Sequence, residues 1–524
     1  MNNATYPRVT YTNIGVDFSS LQAMLDGAIP AYRAKLGTHV SNVIDGKRDD
    51  DGRRYDIRSP IDSSILVATS VEASGDAVRR AVSAAKRVFP AWRALSWEER
   101  VAILERVPAC IAARKYELGI ACLFEVGKSR FEAIGEVEES TDIIPFYATE
   151  MRRNAGFVRG LQSSVPGERT TTRLRPFGTF AVIGPFNYPV AVPVNMIAAA
   201  VLTGNTCVYK PSVGASLTAS MIIDCFREAG VPDGVVNLVC GGDGVGEALV
   251  SGGVDGAVFT GSNAGGRAIF AALSAGPSVR PVIAEMGGKN PTYVTRTADL
   301  DLAAEGLARS GFGLQGQKCS SCEVAYIDNR IYDDFVEQLL AKTAKLKVGD
   351  PQAADTFIGP LIDSAAGDRY DETATAARKS GKILHGGQRV SRGELARGVY
   401  VEPMIVSGLP VDHPQIRNEL FLPYIALQRY DSLDEALTRG SSVHYGLTAG
   451  FYGTDAKDLD LFLQRAEAGV LYANRRSGAT TGAWPGIQSF GGWKASGTTG
   501  KNAFGPHYLP LFMREQSWTL MDVQ

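Results

Sequence analysis

Apolar residues return at helical spacing over 21–29 (Leu21, Met24, Leu25, Ile29), which predicts one short amphipathic helix in an N-terminal leader, residues 1–44. Residues 53–71 read as short strands broken at Ser59-Pro60. Val78, Ala81, Val82 and Ala85 then share one face of a helix over 73–94, and helical stretches follow over 97–125 and 132–151. Within the last, Glu136, Glu138 and Glu139 read as a solvated helix face; a carboxylate turned to a substrate is the sharper alternative.

The rhythm changes at 178. Strands over 178–184, 206–211, 235–240 and 256–260 alternate with helices over 194–202, 215–229 and from 244 onward. That alternation predicts a doubly wound α/β sheet, whose carboxyl edge is the usual place for a nucleotide. Turn signals at Gly287-Gly288 and Asn290-Pro291 interrupt it. A second α/β block follows, with helices near 301–310, 330–346, 365–380, 433–439 and 457–466, and strands near 322–327, 399–406, 424–429, 447–452 and 468–473. Residues 170–176 form an extended polar ribbon, and 508–520 read as a strand pairing outside its own domain.

Composition narrows the setting. With 524 residues, 45% hydrophobic and 21% charged, the chain can bury a sizeable core. A net charge of −2 offers no bulk field for nucleic acid or an acidic membrane. Seven thinly spread cysteines point to reduced thiols in a cytoplasmic setting. Neither a secretory signal nor an apolar run long enough to span a membrane is read. Cys319 and Cys322 form a CxxC with no second CxxC or nearby His, so no metal is expected.

The chemistry centres on Gln317-Lys318-Cys319-Ser320-Ser321, in a segment with glycines at 311, 313 and 316. Lys318 sets a cation beside the Cys319 thiol, an arrangement that favours the nucleophilic thiolate. A buried structural cysteine is the plain alternative. Asn187, in a turn bounded by Pro185 and Pro189, could donate to an oxyanion or only cap its turn. Glu285, in a glycine-rich turn, could activate water or pair with Lys289; Lys210, at a strand end, could meet a cofactor or lie on the surface. Gly242, Gly244 and Gly246 approach the dinucleotide fingerprint but miss its third glycine by one place. Thr260 to Gly266, between a strand and a helix, is the better anion site because backbone N–H groups there point at a ligand.

These segments together resemble the aldehyde dehydrogenase superfamily over about residues 45–520. The resemblance rests on Pro185 to Pro189, Lys210 to Ser212, Phe259 to Ser262, Glu285 to Lys289, Gly316 to Ser320 and Glu419 to Phe421, in the family's order and at similar intervals. It implies an NAD(P)-dependent aldehyde dehydrogenase. Cys319 would attack the aldehyde, Asn187 would hold the oxyanion, and Glu285 would activate the water that releases the acid. It places the cofactor on Ile183, Pro185, Phe186, Lys210, Ser212, Thr260, Gly261, Ser262, Gly266, Met286, Gly287, Glu419 and Phe421. It implies an NAD(P)-binding domain over 45–160 and 180–284, a catalytic domain over 285–485, and an oligomerisation ribbon over 161–179 and 500–524 of a homodimer or larger assembly. NAD is the expected cofactor. Val213 stands where NAD-specific members often carry a ribose-binding glutamate, which leaves NADP open, and Leu422 replaces a family glycine.

Within the superfamily the likeness is to the group that oxidises glutamate semialdehyde (1-pyrroline-5-carboxylate), carried by Gln317 to Cys322, Glu125 to Lys128 and Phe490 to Thr498. It implies a substrate carboxylate held by Ser320 and by the turn Ser477, Gly478 and Ala479, with Phe312 in the substrate pocket. Ala483 to Gly486 looks like an insertion in that loop, whose Trp484 could narrow or cover the pocket. Another semialdehyde or an aromatic or aliphatic aldehyde is the alternative substrate. A cofactor-independent thiol hydrolase and a catalytically silent structural protein are the readings from other classes.

Overall fold

The computed structural model describes residues 6–13, 16–478 and 483–522. Two seven-stranded sheets organise it. In the first, neighbouring strands run Val282–Glu285, Gly256–Thr260, Thr179–Ile183, Thr206–Lys210, Val236–Leu238, Asn42–Ile44 and Lys47–Asp49. The first five are parallel and the last two join antiparallel. The parallel strands are apolar along almost their whole length because helices cover both faces. Residues 42–44, read with the leader, are thus part of this sheet.

The second sheet runs Lys382–His385, Met404–Ser407, Tyr424–Tyr430, Cys322–Asp328, Asn290–Val294, Thr448–Tyr452 and Val470–Ala473. All pairs are parallel except that of Lys382–His385 with Met404–Ser407. That edge strand, KILH, escapes sequence reading because it is only four residues long and half of them are polar. Only residues 286–289 separate the last strand of the first sheet from Asn290–Val294 of the second, so the carboxyl edge of the first sheet meets the amino edge of the second, where Asn290 and Cys322 begin their strands.

The stretch 97–125 is three helices, Trp97–Leu104, Val107–Ala113 and Lys115–Val126. Pro108, which has no N–H to continue a preceding helix, sits in the first turn of the second. Met513–Met521 pairs antiparallel with Glu168–Pro176 along all nine residues, and Val158–Gly160 completes this ribbon. Among the described residues no helix is long and apolar enough to cross a membrane.

Candidate active site

In the first sheet, successive strands step from Thr179–Ile183 to Thr206–Lys210 to Val236–Leu238, and then Gly256–Thr260 falls on the other side of the starting strand. A doubly wound sheet opens a crevice at such a reversal, outside the strand carboxyl ends. A cavity of about 1150 Å³ lies there. Register sets Ile183 opposite Lys210 and Phe259, and Thr260 opposite Glu285, so Ile183, Lys210, Thr260 and Glu285 stand on one edge.

At one end the lining is mostly backbone and short side chains. Ile183, Pro185, Phe186 and Ser212 face the void, with Thr260, Gly261 and Ser262 across from them. Ser262 caps the helix Asn263–Ser274, its hydroxyl accepting the Gly265 N–H at 3.1 Å. Lys210 is not a surface lysine: it is buried, and its Nζ donates to the carbonyls of Pro211 at 2.7 Å and Gly241 at 2.9 Å. Burial lowers its pKa. Gly266 is not among the residues lining this cavity, contrary to expectation; it packs against Met286, whose sulfur a Cβ there would meet.

Glu419 stands where this end meets the other. Its Oε1 accepts the Gly288 N–H at 3.1 Å, and its carboxyl fills the space a side chain at Gly287 would need. Burial, then Glu323, pushes it up to about 8. Met286, Gly287 and Phe421 line the cavity beside it, and the Phe421 ring meets Phe186 edge-on with centroids 6.0 Å apart.

Cys319, Asn187 and Glu285 meet at the other end. Leu314, Gln315 and Gly316 run in the left-handed region (φ 49°, 56° and 66°), and at 316 a Cβ would strike the Leu422 carbonyl, so glycine is required. Asn290 staples the turn that follows, donating to the carbonyls of Cys319 at 2.7 Å and Ser321 at 2.9 Å. Asn187 does not cap its own turn: its amide donates to the Gln317 carbonyl at 2.8 Å. Glu285 does not pair with Lys289: its Oε2 accepts the Gly492 N–H at 2.9 Å, and burial drives its pKa well up.

The Lys318 cation does not win at the thiol. Its Nζ turns to the Arg309 carbonyl at 3.4 Å, and burial takes its pKa down to about 8. Burial, then the Glu419 and Glu285 carboxyls, pushes Cys319 up to about 12. The thiol is half-open, toward the cavity.

Several supports were hidden in the sequence. The Glu136, Glu138, Glu139 cluster is not a solvated face: all three are buried, because the leader and the helix Ala191–Leu202 pack over the helix Arg130–Arg153. Glu136 pairs with Lys128 at 2.7 Å with both side chains fully buried, and its other oxygen accepts the Val190 N–H at 2.7 Å and the Ala191 N–H at 3.0 Å. Lys128 in turn donates to the Asn187 carbonyl at 2.9 Å, so the pair fixes the turn that carries the Asn187 amide. Lys289 pairs instead with Glu323, which also accepts the N–H groups of Leu420 and Phe421 and so holds the Glu419 loop.

Of the expected substrate residues, Ser320 lines the cavity beside Cys319. Phe312 does not; it closes the helix Leu300–Phe312 on the face packed into the core of the second sheet. Ser477 and Gly478 are not among the described lining residues, Gly478 lying against Ser310, and Ala479 falls outside the described residues. Arg476 pairs with Asp301 and Glu305, and Arg475 donates to Gln488. Trp484 is buried, its Nε1 donating to Asp142 at 2.7 Å, and Ala483 reaches the cavity.

The sequence profile of the aldehyde dehydrogenase family matches residues 47–517. The chain is 33% identical over 519 residues to a 1-pyrroline-5-carboxylate dehydrogenase of Bacillus licheniformis, covering 98% of each. Its fold superposes on a 1-pyrroline-5-carboxylate dehydrogenase from Thermus with bound NAD, with a TM-score of 0.92, 30% identity and all of both chains covered. It also matches proline utilization A from Bdellovibrio bacteriovorus, with a TM-score of 0.91 and 30% identity, over 99% of this chain and 54% of that longer one.

Proposed function

The chain belongs to the aldehyde dehydrogenase family, and from that premise we propose that it oxidises L-glutamate 5-semialdehyde to glutamate with NAD as acceptor. The observation that carries the chemistry is the convergence of Cys319, Asn187 and Glu285 at one end of a cavity whose other end is a helix N-terminus at a switch point. The substrate rests on full-length likeness to dehydrogenases of that name, and on Ser320 beside the thiol as a hydroxyl for the substrate carboxylate.

The lining suits a dinucleotide. Thr260, Gly261 and Ser262 at the start of the helix Asn263–Ser274 would receive the pyrophosphate, Lys210 and Ser212 the adenosine ribose, and Glu419 the nicotinamide ribose. Asp243 and Glu247 line the same end as Lys210, and two carboxylates there oppose a 2′-phosphate, which favours NAD over NADP. Held by these residues, NAD would supply the acceptor for the hydride released from the substrate carbon.

In the proposed reaction the Cys319 sulfur bonds to the aldehyde carbon, and its proton passes to solvent or to a nearby carboxylate. The Asn187 amide and the Cys319 N–H meet the oxyanion; one such donor is worth about 3–4 kcal/mol. After hydride loss the carbon is a thioester on Cys319. Glu285, whose buried carboxyl is a stronger base than a solvated one, takes a proton from water. The hydroxide displaces the thiolate, which regains the proton held by Glu285, so one aldehyde, one water and one NAD give acid, NADH and a proton. The ribbon of Glu168–Pro176 and Met513–Met521 is proposed as the seam between subunits, and residues 285–485 as the catalytic domain.

Steady-state rates with NAD and NADP on glutamate 5-semialdehyde, propanal and benzaldehyde test the reading. Glutamate semialdehyde should lead in kcat/KM by about tenfold or more, the scale of a satisfied polar contact. Turnover no better than that of propanal or benzaldehyde would make the substrate assignment wrong.

A further inference from the structure

We propose that Tyr11, carried into the cavity by the N-terminal arm, is a specificity-determining residue of the aldehyde pocket. Residues 6–13 lie along the helix Arg130–Arg153 rather than in solvent. Arg8 anchors them through Asp142 at 2.8 Å and the Glu138 carbonyl at 2.9 Å, and Val9 is buried at 3% exposure. Gly135 leaves the surface where both arm side chains settle: a Cβ there would meet Tyr11 Cε1 at 3.4 Å and Val9 Cγ1 at 3.7 Å.

Two contacts hold the Tyr11 ring at the cavity. Its hydroxyl donates to Glu139 Oε2 at 2.8 Å, and both residues line the void. Its ring meets Trp484 edge-on with centroids 5.8 Å apart. Trp484 is itself fixed by Asp142 and by the Arg8 guanidinium 5.4 Å from its ring centre. Glu139 lies one turn along its helix from Glu136, whose partner Lys128 donates to the Asn187 carbonyl and sits 3.8 Å from the Tyr188 ring centre, so the arm ends on the side of the cavity that carries Asn187 and not at the far, helix-terminus end. The segment 483–486 and the arm, separated by more than 470 positions, thus brace one another through Trp484 and Tyr11, with Ala483 and Tyr11 both lining the cavity.

A rigid aromatic wall with its hydroxyl spent on a buried carboxyl admits a short aldehyde and excludes a bulky one. The proposal rests on the active-site reading above but not on which short aldehyde is used. The test uses the full chain with NAD and three variants, Tyr11→Ala, Tyr11→Phe and Tyr11→Leu, each checked by thermal melting. The readout is the ratio of kcat/KM for phenylacetaldehyde to that for propanal. Removing the wall in Tyr11→Ala should raise the ratio about tenfold, the scale on which a hydrophobic pocket discriminates size. Tyr11→Phe keeps the ring and should stay within about threefold of the parent. If Tyr11→Ala does not fold, Tyr11→Leu, which keeps an apolar anchor, should still move the ratio upward. An unchanged ratio in the folded truncations, or Tyr11→Phe moving it as far as Tyr11→Ala, overturns the proposal. Failure to oxidise glutamate semialdehyde while propanal is turned over would instead defeat the substrate assignment, and the ratio would still decide the role of Tyr11.

Discussion

At the end of the cavity proposed for the cofactor the facing groups come from neighbouring strand ends of one sheet and the helix that follows: Ile183, Lys210, Thr260 and Ser262. At the thiol end they come from all over the chain: Tyr11, Glu139, Asn187, Glu285, Cys319 and Phe504. Sheet topology makes the first kind of site almost by itself, since a switch point and a helix N-terminus supply a crevice and donors. The second kind needs dedicated supports, here the Lys128–Glu136 and Lys289–Glu323 pairs and the Asn290 staple. Chemistry placed on the second and binding on the first should be separable by mutation.

The largest separation is expected at Cys319. Cys319→Ser replaces a sulfur nucleophile with a hydroxyl of much higher pKa and should cost about 10⁴-fold or more in kcat. NAD affinity, measured by titration of protein fluorescence, should stay within about twofold, because the thiol is not among the groups proposed to hold the cofactor. A parallel loss of NAD binding would mean that the two ends are not independent.

Asn187→Ala comes next. It removes the proposed oxyanion donor and should lower kcat by about 10²- to 10³-fold, again with NAD binding kept. The amide is bonded to Gln317 without substrate, so forming the oxyanion bond means exchanging that partner. A rise in KM with kcat unchanged would place Asn187 in substrate binding instead.

The same contrast governs how much could be read from the chain. The cofactor end was legible because its residues sit in contiguous strand–turn–helix segments, and the alternation over 178–260 gave the sheet that carries them. Cys319, Asn187 and Glu285 were legible as motif residues, but their supports were not. Glu136, Glu138 and Glu139 look solvated because charges on a helix usually are; the partners that bury them, Lys128, Lys115 and Tyr11, come from other segments. Lys318 misled because sequence adjacency to a thiol is not contact with it: its amine ends at Arg309. Tyr11 gave no signal, since nothing local ties a tyrosine in a leader to a glutamate 128 positions on.

The smallest effect tests the boundary between the two ends, where Glu419 stands. Its carboxyl opposes ionisation of Cys319, which already lies up at about 12. Because Glu419 is itself pushed up to about 8, it is mostly neutral at pH 7 and repels little; as pH rises through 8 it ionises and its repulsion grows. Glu419→Gln keeps an acceptor for the Gly288 N–H and removes only the charge. Alkylation of Cys319 by iodoacetamide, followed on its own peptide by mass spectrometry, should therefore match the parent at pH 6.5, since both carry a neutral side chain at 419. At pH 9.5 it should run about five- to tenfold faster in the variant, the size of one unscreened charge at partly buried range. In the parent the rate should climb without a plateau up to about pH 10. An equal acceleration at both pH values would show that Glu419 acts on the thiol through packing, and the cofactor end would then be coupled to the chemistry by shape and not by charge.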